Sequence, residues 1–253
     1  MQNQIEETES TEIMEKSQIK KQSLTYLFFK RLTDIVLSLL ALIGFSPVFL
    51  GVWIANRFGD NKGPLFFKQT RIGKNGKPFK MYKFRSMEVQ PENKEKSAWT
   101  VPNDPRVTKV GRFIRQTSID ELPQLFNILK GDMSVVGPRP CVTYELGDFD
   151  TLNKRYKKRF EMKAGLTGLA QVKGRNDISW DDKVGYDNEY IDLYNKYGVL
   201  IDIKILFDSV LKVFKKENIY ENKENEDMDD AEAARFAEEE IIRIAHLPDQ
   251  EDL

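Results

Sequence analysis

The sequence is poor in the two residue types that most often build metal centres and nucleophilic sites. Its 253 residues contain one cysteine, Cys141, and one histidine, His246. A single cysteine excludes an intrachain disulfide framework, and Cys141 is predicted to be a small, buried, apolar residue. A single histidine near the C-terminus argues against a histidine-rich zinc site or a Ser-His-Asp triad. Any acid, base or nucleophile is therefore expected to come mainly from Asp, Glu, Ser, Tyr or Lys.

The net charge is also close to zero, but acidic and basic residues are distributed unevenly along the chain. The formal net charge is −1, although residues 221–253 contain thirteen acidic and only three basic residues. The rest of the chain therefore carries a net charge of +9. A basic body suits partners that carry phosphate or an anionic membrane surface, whereas the acidic segment is equally explained as a solvated extension.

One long uncharged run stands out in the chain. Residues 1–23 are polar, which predicts a disordered tail, whereas the 21 residues of Ile35–Ala55 carry no charge. A straight helix of this length would measure ~30 Å, enough to cross a bilayer. A buried soluble helix rarely lacks polar residues on every face. Residues 24–62 are therefore predicted to form a membrane anchor.

Two features of the run favour a helix that dips into the membrane and returns. Ser46-Pro47 lies near the middle, where proline removes a backbone hydrogen bond and kinks a helix. The positive-inside rule places basic flanks on the cytoplasmic side. Such residues flank both ends of the run: Lys20, Lys21, Lys30, Arg31, Arg57 and Lys62. A kinked spanning helix is the alternative, since neighbouring groups can satisfy a proline kink.

A basic β-hairpin is predicted next. Strands at Leu65–Arg71 and Pro78–Arg85 are joined by Gly73–Lys77, whose Asn-Gly pair is typical of a hairpin turn. Its basic side chains either contact phosphate or lipid headgroups or form a solvated strand face. They are Lys68, Arg71, Lys80, Lys83 and Arg85.

The remaining pattern is mainly helical. A polar loop at 88–105 precedes a basic amphipathic helix at Arg106–Gln116, which could lie on a membrane or face the core. A basic helix is predicted at 141–163. A short strand at Leu169–Val172 separates the glycine-punctuated turns Gly165–Gly168 and Gly174–Asn176. A last amphipathic helix at 203–216 has an apolar stripe for which core packing is favoured over membrane contact: Ile203, Leu206, Val210, Val213 and Phe214.

Two adjacent carboxylates, Asp120 and Glu121, stand at a predicted helix start. Ser118-x-x-Glu121 matches a capping box, Asp120 could itself be an N-cap, and Pro123 suits the first turn. Alternatively, a carboxylate beside Arg115 could ligate Mg²⁺ or attack a phosphate. Because neighbouring helical residues point in different directions, Asp120 and Glu121 are expected to differ in role.

A single arginine, Arg139, stands between Pro138 and Pro140. The stiff Pro-Arg-Pro backbone would fix the direction of the guanidinium, which suits bidentate phosphate binding. The alternative is an ordinary rigid turn. Arg175 is presented by a second turn, Gly174-Arg175-Asn176.

Four ordered motifs carry a family resemblance: RLTDIVLSLLALIGFSPVFL, KMYKFRSM, TSIDELPQLFNILKGDMSVVGPRP and GLTGLAQVKGRN. Together they closely resemble the bacterial sugar transferase family, specifically its small monotopic polyprenyl-phosphate phosphoglycosyl transferases, over residues 24–220. The resemblance implies an α+β, mainly helical fold. It would comprise a re-entrant membrane helix, amphipathic interfacial helices and a small basic hairpin around the active site. A cytoplasmic catalytic domain would span 63–220, leaving 221–253 as an acidic extension outside the matched region.

The resemblance also implies an activity, the first membrane step of polysaccharide or glycoconjugate assembly. A sugar-1-phosphate would pass from a UDP-sugar to undecaprenyl phosphate with Mg²⁺, releasing UMP. Asp120 would be the nucleophile of a covalent intermediate and a Mg²⁺ ligand, and Glu121 would assist. Arg115, Arg139 and Arg175 match the family's phosphate-binding arginines. Ser46 and Pro47 match the break in its membrane helix.

The expected partners are the UDP-sugar, undecaprenyl phosphate and membrane lipids at the cytoplasmic face of the membrane, with homo-oligomerisation left open. A non-catalytic membrane scaffold would explain the anchor and the basic face, but would not require the carboxylates and three rigidly placed arginines together. A nucleic-acid-binding protein would explain the basic body, but not the uncharged run.

Overall fold

The computed structural model describes residues 24–59, 63–89, 104, 106–174 and 178–215. Its helices are α1 Leu24–Gly44, α2 Ser46–Phe58, α3 Lys109–Gln116, α4 Gln124–Lys130, α5 Thr143–Leu146, α6 Lys154–Lys158, α7 Leu169–Lys173, α8 Trp180–Tyr197 and α9 Val199–Lys215. Its strands are β1 Phe66–Ile72, β2 Pro78–Phe84, β3 Met133–Val136 and β4 Ala164–Thr167. The mainly helical α+β class is confirmed. Predictions for Lys20, Lys21, Lys62, Arg175, Asn176, both tails and most of the 88–105 loop lie outside the described residues.

The apolar run is broken where the sequence predicts. α1 ends at Gly44, α2 begins at Ser46, and the two helices are bent by 56°. Pro47 has no N–H to offer the carbonyl of Ile43, one turn earlier. The Ser46 hydroxyl donates to that carbonyl at 2.7 Å instead. Ser46 therefore satisfies the group that Pro47 leaves without its helical partner, which stabilises the bend.

Apolar side chains remain exposed along both of these helices. In the part of the chain that the structure describes, no helix alone has the length and hydropathy to cross a bilayer; α1 from Leu27 and α2 meet that standard only as a bent pair. An apolar surface of this extent marks contact with a membrane or another protein. Its members include Phe28, Leu40, Ile43, Leu50, Trp53 and Phe58.

A buried ion pair fastens α1 to the rest of the protein. Lys30 Nζ lies 2.6 Å from Asp202 Oδ2 of α9 and donates to the Val136 carbonyl of β3 at 2.8 Å. The Tyr190 hydroxyl of α8 donates to the second oxygen of Asp202 at 2.7 Å. Lys30, predicted from the sequence to belong to a basic flank of the anchor, is thus engaged inside the protein.

Two further side chains of α1 make similar contacts. Arg31 donates to the carbonyls of Ile128 and Leu129 at 2.6 and 2.7 Å, where α4 leaves its last carbonyls without helical partners. Asp34 is buried and accepts from the Val135 backbone N–H at 2.9 Å. The N-terminal half of α1 is therefore packed against α4, β3 and α9.

The basic hairpin is confirmed, with strand ends within one residue of the predicted bounds. β1 and β2 pair antiparallel, and Asn75 and Gly76 take positive φ angles of 55° and 74° at the turn, which explains the Asn-Gly pair. The Asn127 side chain of α4 donates to the Lys80 carbonyl at 2.7 Å and accepts from the Tyr82 N–H at 2.9 Å. Asn127 thus takes the place of a third strand and ties β2 to α4.

A parallel pair, β3 and β4, corrects two predictions. Gly165–Gly168, predicted as a turn, supplies most of β4, and Leu169–Val172, predicted as a strand, lies in α7. The glycines permit a close approach of two backbones. A Cβ on Gly165 or on Gly168 would lie 2.2 Å from a backbone atom of Gly137. Close packing therefore explains these glycines better than turn formation does.

The prediction of one continuous helix at 141–163 is wrong. This stretch contains α5, α6 and short 3-10 turns rather than one helix. Gly147 interrupts it with a φ of 75°, and the Asn153 side chain starts α6 by accepting from the Tyr156 N–H at 3.0 Å. The basic residues alone did not reveal these two breaks.

The helix predicted at Arg106–Gln116 begins three residues later. Its first residue is Lys109, because the Thr108 side chain caps the first turn. Ile114 is buried, whereas Phe113 is 60% exposed. α3 therefore packs against the core on one side and leaves an aromatic ring outside.

α9 buries a different face from the predicted one. Ile201 and Ile205 enter the main core, which lies between β3, α4, α8 and α9. Ile203 and Val210 of the predicted stripe are exposed, so the prediction of a core role is wrong for these two. The exposed side of α9 also carries Leu200, Phe207 and Leu211. Leu206 packs on the core as predicted, and the side chains of Val213 and Phe214 lie outside the described residues.

Cys141 is buried, as predicted, and burial raises the pKa of its thiol to about 11. A raised thiol pKa favours the neutral form, so at pH 8 only about one molecule in a thousand carries the reactive thiolate. We expect a maleimide to leave the folded protein unlabelled at pH 8 and to add one equivalent after unfolding in urea, as measured by intact mass. Rapid labelling of the folded protein would contradict this burial.

Candidate active site

The two carboxylates lie in a 3-10 turn, Ile119–Glu121, between α3 and α4. Ser118 precedes the turn with a φ of 56°, a left-handed conformation that costs a non-glycine residue about 1 kcal/mol or more. The chain changes direction there, and the turn packs against β2. Backbone strain of this kind is found where the surroundings hold a functional group in place.

Helix capping does not explain these carboxylates. The Ser118 side chain makes no capping hydrogen bond, and Pro123, not Asp120, occupies the N-cap position of α4. The capping interpretation of Ser118, Asp120 and Glu121 is therefore wrong, although Pro123 does mark the helix start. The carboxylates face cations from elsewhere in the chain instead.

Glu121 is held by two cations. Its Oε1 accepts from Lys83 Nζ of β2 and from Arg139 Nη2, both at 3.0 Å. Burial on its own would raise the pKa of the Glu121 carboxyl, but the charges of Arg139 and Lys83 outweigh it and hold that pKa well below its ordinary value. Glu121 is therefore ionised throughout the neutral range.

Asp120 has a different environment. It is buried, and among the described residues the nearest cation is Lys83, whose Nζ lies 3.8 Å from Asp120 Oδ2. Burial raises the pKa of the Asp120 carboxyl, and Lys83, Arg115 and Arg139 oppose that rise. Asp120 is thus a desolvated carboxylate with looser contacts than its neighbour. The environments of the two carboxylates thus differ, and that their roles differ stays a prediction.

Arg139 reaches the carboxylates from a rigid segment. Pro138 and Pro140 fix two of the backbone torsions around it, and both prolines are buried. The Arg139 side chain is 48% exposed although it pairs with Glu121. An arginine with a rigid backbone and a partly open guanidinium can bind an incoming phosphate in a fixed orientation.

The structure brings together most of the predicted site residues. Asp120, Glu121 and Arg139 are in contact or near contact, and Arg115 is close enough to lower the pKa of Asp120. Arg175 lies outside the described residues. Ser46 and Pro47 form the predicted break in the helix pair.

Sequence reasoning missed the importance of Lys83, which it grouped with the other basic residues of the hairpin. Lys83 bridges Asp120 and Glu121. Strand periodicity puts it on the same face of β2 as the buried Met81, and a lysine on a buried strand face is the signal that could have identified it.

Asp120 and Glu121 are the residues of this site that could help to hold a Mg²⁺ ion. Among the described residues no cluster of three metal-ligating side chains occurs. Mg²⁺ is commonly bound by one or two carboxylates with substrate phosphates and waters completing its shell. Of the two, Asp120 would be the better ligand, because Glu121 is already held by two cations.

Carboxylates held among lysine and arginine side chains form an arrangement that can bind and orient phosphate groups. The chain belongs to the bacterial sugar transferase family, whose model matches residues 25–216. It is 45% identical over 194 residues to the UDP-glucose:undecaprenyl-phosphate glucose-1-phosphate transferase of Klebsiella pneumoniae, covering 76% of this chain and 41% of that protein. It is 42% identical over 207 residues to the undecaprenyl-phosphate galactose phosphotransferase of Salmonella typhimurium, covering 76% and 42%.

A shorter relative matches over most of its length. The uncharacterized sugar transferase EpsL of Bacillus subtilis is 42% identical over 193 residues, which cover 76% of this chain and 91% of EpsL. The match to the two longer enzymes, in contrast, extends over about two fifths of their length. The family match, residues 25–216, contains both carboxylates, Lys83 and Arg139.

Proposed function

We propose that this chain transfers a sugar-1-phosphate from a UDP-sugar to undecaprenyl phosphate and releases UMP. Two relatives are named for undecaprenyl-phosphate sugar-phosphate transfer. The observation that carries the proposal is the buried Asp120, which stands near Lys83, Arg115 and Arg139, with Lys83 Nζ 3.8 Å from its Oδ2. A desolvated carboxylate surrounded by cations is suited to attack a phosphorus atom whose oxygens those cations bind.

The proposed first step forms a covalent intermediate. An oxygen of the Asp120 carboxylate attacks the β-phosphorus, which carries the sugar, and the bond from that phosphorus to the bridging oxygen breaks. The electron pair leaves with that oxygen as UMP. The result is an acyl phosphate that links Asp120 to the sugar-1-phosphate.

The second step returns the enzyme to its starting state. A phosphate oxygen of undecaprenyl phosphate attacks the same phosphorus, and the Asp120 carboxylate leaves, giving undecaprenyl diphosphate sugar. Arg139 and Lys83 bind the phosphoryl oxygens, and Glu121 keeps these two side chains in place between the steps. Mg²⁺, held by Asp120 and the substrate, would neutralise charge on the diphosphate.

We also propose that residues 24–62 are a re-entrant anchor and that the catalytic domain, 63–220, lies on the cytoplasmic face. The 56° bend between α1 and α2 supports a dip rather than a straight crossing. The exposed apolar side chains of both helices and of α9 supply a surface for lipid contact.

Cysteine labelling tests this topology. Cysteines introduced at Thr25 and at Lys62 are expected to be protected together from a membrane-impermeant maleimide in intact cells and to react together after the cells are opened. The buried Cys141 supplies a silent background. Labelling of the two positions from opposite sides would overturn the re-entrant anchor.

UMP release tests the activity. The purified full chain in detergent is mixed with Mg²⁺, undecaprenyl phosphate and a panel of UDP-sugars, and UMP is measured. We expect release with one sugar or a small group of related sugars, abolished by EDTA and restored by added Mg²⁺. No release with any sugar would overturn the enzyme proposal in favour of a scaffold.

Lys83→Met is expected to lower the rate of UMP release by about a hundredfold, the typical cost of losing one group that stabilises developing charge. The substitution keeps the length of the side chain and removes the cation shared by Asp120 and Glu121. Lys80→Met is the matched control, since Lys80 lies on the same strand and its exposed side chain donates to the Thr70 hydroxyl at 2.6 Å, away from both carboxylates. Equal rates for the two variants would rule out a special role for Lys83.

A further inference from the structure

The segment that carries Arg139 is held through its carbonyl groups. Pro138 and Pro140 have no N–H, so this stretch forms backbone hydrogen bonds mainly through its carbonyl groups. The Pro138 carbonyl accepts from the Gly165 N–H at 2.8 Å. The Arg139 carbonyl accepts from Arg159 Nη2 at 2.7 Å. The Pro140 carbonyl accepts from Arg71 Nη1 at 3.1 Å. Arg159 therefore makes the contact at Arg139 itself.

Arg159 is a buried cation with a dedicated partner. Its Nε and Nη2 lie 3.0 and 2.9 Å from Asp187 Oδ2 of α8, and both side chains are 2% exposed. The guanidinium also lies over the rings of Trp180 and Phe160, at 5.2 and 5.4 Å from the centroids. Aromatic rings and the carboxylate together leave the guanidinium little freedom to move.

A buried ion pair is a poor means of gaining stability. Removing two charges from water is expensive, and well-packed apolar side chains often stabilise a protein as well or better. The Arg159–Asp187 pair therefore calls for another explanation. The contact of Arg159 Nη2 with the Arg139 carbonyl supplies one.

We propose that Arg159, oriented by Asp187, is a positioning residue for Arg139. The contacts run from Asp187 to Arg159, from Arg159 to the Arg139 carbonyl, and from the Arg139 guanidinium to Glu121. Neither Arg159 nor Asp187 touches the reacting carboxylates, so both act through the Pro-Arg-Pro segment. The effect on catalysis rests on the proposed sugar-phosphate transfer, whereas the effect on the segment does not.

Hydrogen exchange tests the tether without any reaction. The double variant Arg159→Met/Asp187→Leu removes both charges and keeps apolar volume. The control variant Lys158→Gln/Asp192→Asn removes an exposed ion pair, 2.8 Å long, that joins the neighbouring residue to the same helix α8. We expect amides in the peptide 137–142 to exchange at least about tenfold faster in the first variant and at the wild-type rate in the control.

Kinetics tests the consequence for Arg139. The double variant is expected to lower kcat/KM for the UDP-sugar by about tenfold to a hundredfold, since small displacements of a positioning group have effects of this size. In an Arg139→Ala background the same two changes are expected to cost less than about threefold, because a residue that acts through Arg139 has nothing left to position. Arg159→Lys, which keeps a charge for Asp187, should retain more activity than the double variant.

The outcomes separate a positioning role from a purely structural one. Unchanged exchange in 137–142 would overturn the tether, and equal losses with and without Arg139 would show that Arg159 only braces the fold. Should the double variant fail to fold, the single variants Asp187→Asn and Arg159→Lys take its place in the hydrogen-exchange and kinetic experiments. If the wild-type chain releases no UMP, the proposed function is wrong. The exchange experiment would still show whether Arg159 holds the segment that carries Arg139.

Discussion

Replacing Asp120 with asparagine is expected to reduce UMP release by about a thousandfold or more. The amide keeps the shape of the side chain but has no charge and is a far weaker nucleophile. Asp120 is buried, and Lys83, Arg115 and Arg139 lie close enough to oppose the rise of its pKa, so the charged side chain is placed for attack on a phosphate. Initial rates of UMP release with the preferred UDP-sugar measure the effect.

The Asp120→Asn experiment needs controls for folding and for general charge loss. Asp148→Asn changes an exposed carboxylate and should leave the rate within about twofold of wild type. Glu121→Gln should retain the capacity to form the intermediate but at a reduced rate, because Arg139 and Lys83 lose their shared partner. Asp120→Asn with UMP release near the wild-type rate would contradict the assignment of the nucleophile.

Lys30→Met is expected to lower the free energy of unfolding by about 3–5 kcal/mol. The substitution leaves the Asp202 carboxylate buried with Tyr190 as a partner but without its cation, and breaking one side of a buried ion pair has a cost of this size. It also removes the donor to the Val136 carbonyl. Urea unfolding in a fixed detergent, followed by tryptophan fluorescence, measures the change.

An exposed ion pair supplies the comparison. Lys130 pairs with Asp132 at 3.1 Å, but its side chain is 63% exposed, so Lys130→Met should leave the free energy of unfolding nearly unchanged. The double variant Lys30→Met/Asp202→Leu should recover much of the loss, since it removes both buried charges. If Lys30→Met and Lys130→Met were equally stable, the ion pair would not be what holds α1 to α9.

Local sequence signals predicted the features whose causes are local. Asn75-Gly76 marks the hairpin because its turn requires positive φ. Ser46-Pro47 marks the bend because Pro47 lacks the N–H that a continuous helix needs. The candidate carboxylates, in contrast, were singled out from a capping pattern only by the family resemblance of the motifs around them.

Features whose causes lie far along the chain were missed. Gly165 approaches the backbone of Gly137, and no residue near Gly165 reveals that partner. α9 has apolar residues on more than one side, so the pattern alone did not show that Ile205 would be buried and Ile203 exposed. The role of Lys83 in the site depends on the fold, which places β2 beside Glu121, and no residue near Lys83 in the sequence indicates that contact.

Detection of the covalent intermediate tests the proposed mechanism without the acceptor lipid. Purified wild-type chain is mixed with Mg²⁺ and the preferred UDP-sugar without undecaprenyl phosphate, and intact mass and UMP are measured together. We expect a mass increase of one sugar-phosphate, located at Asp120 by peptide mapping, with up to one equivalent of UMP and no adduct in Asp120→Asn. UMP release that requires the lipid acceptor and leaves no adduct on the wild-type chain would contradict that mechanism.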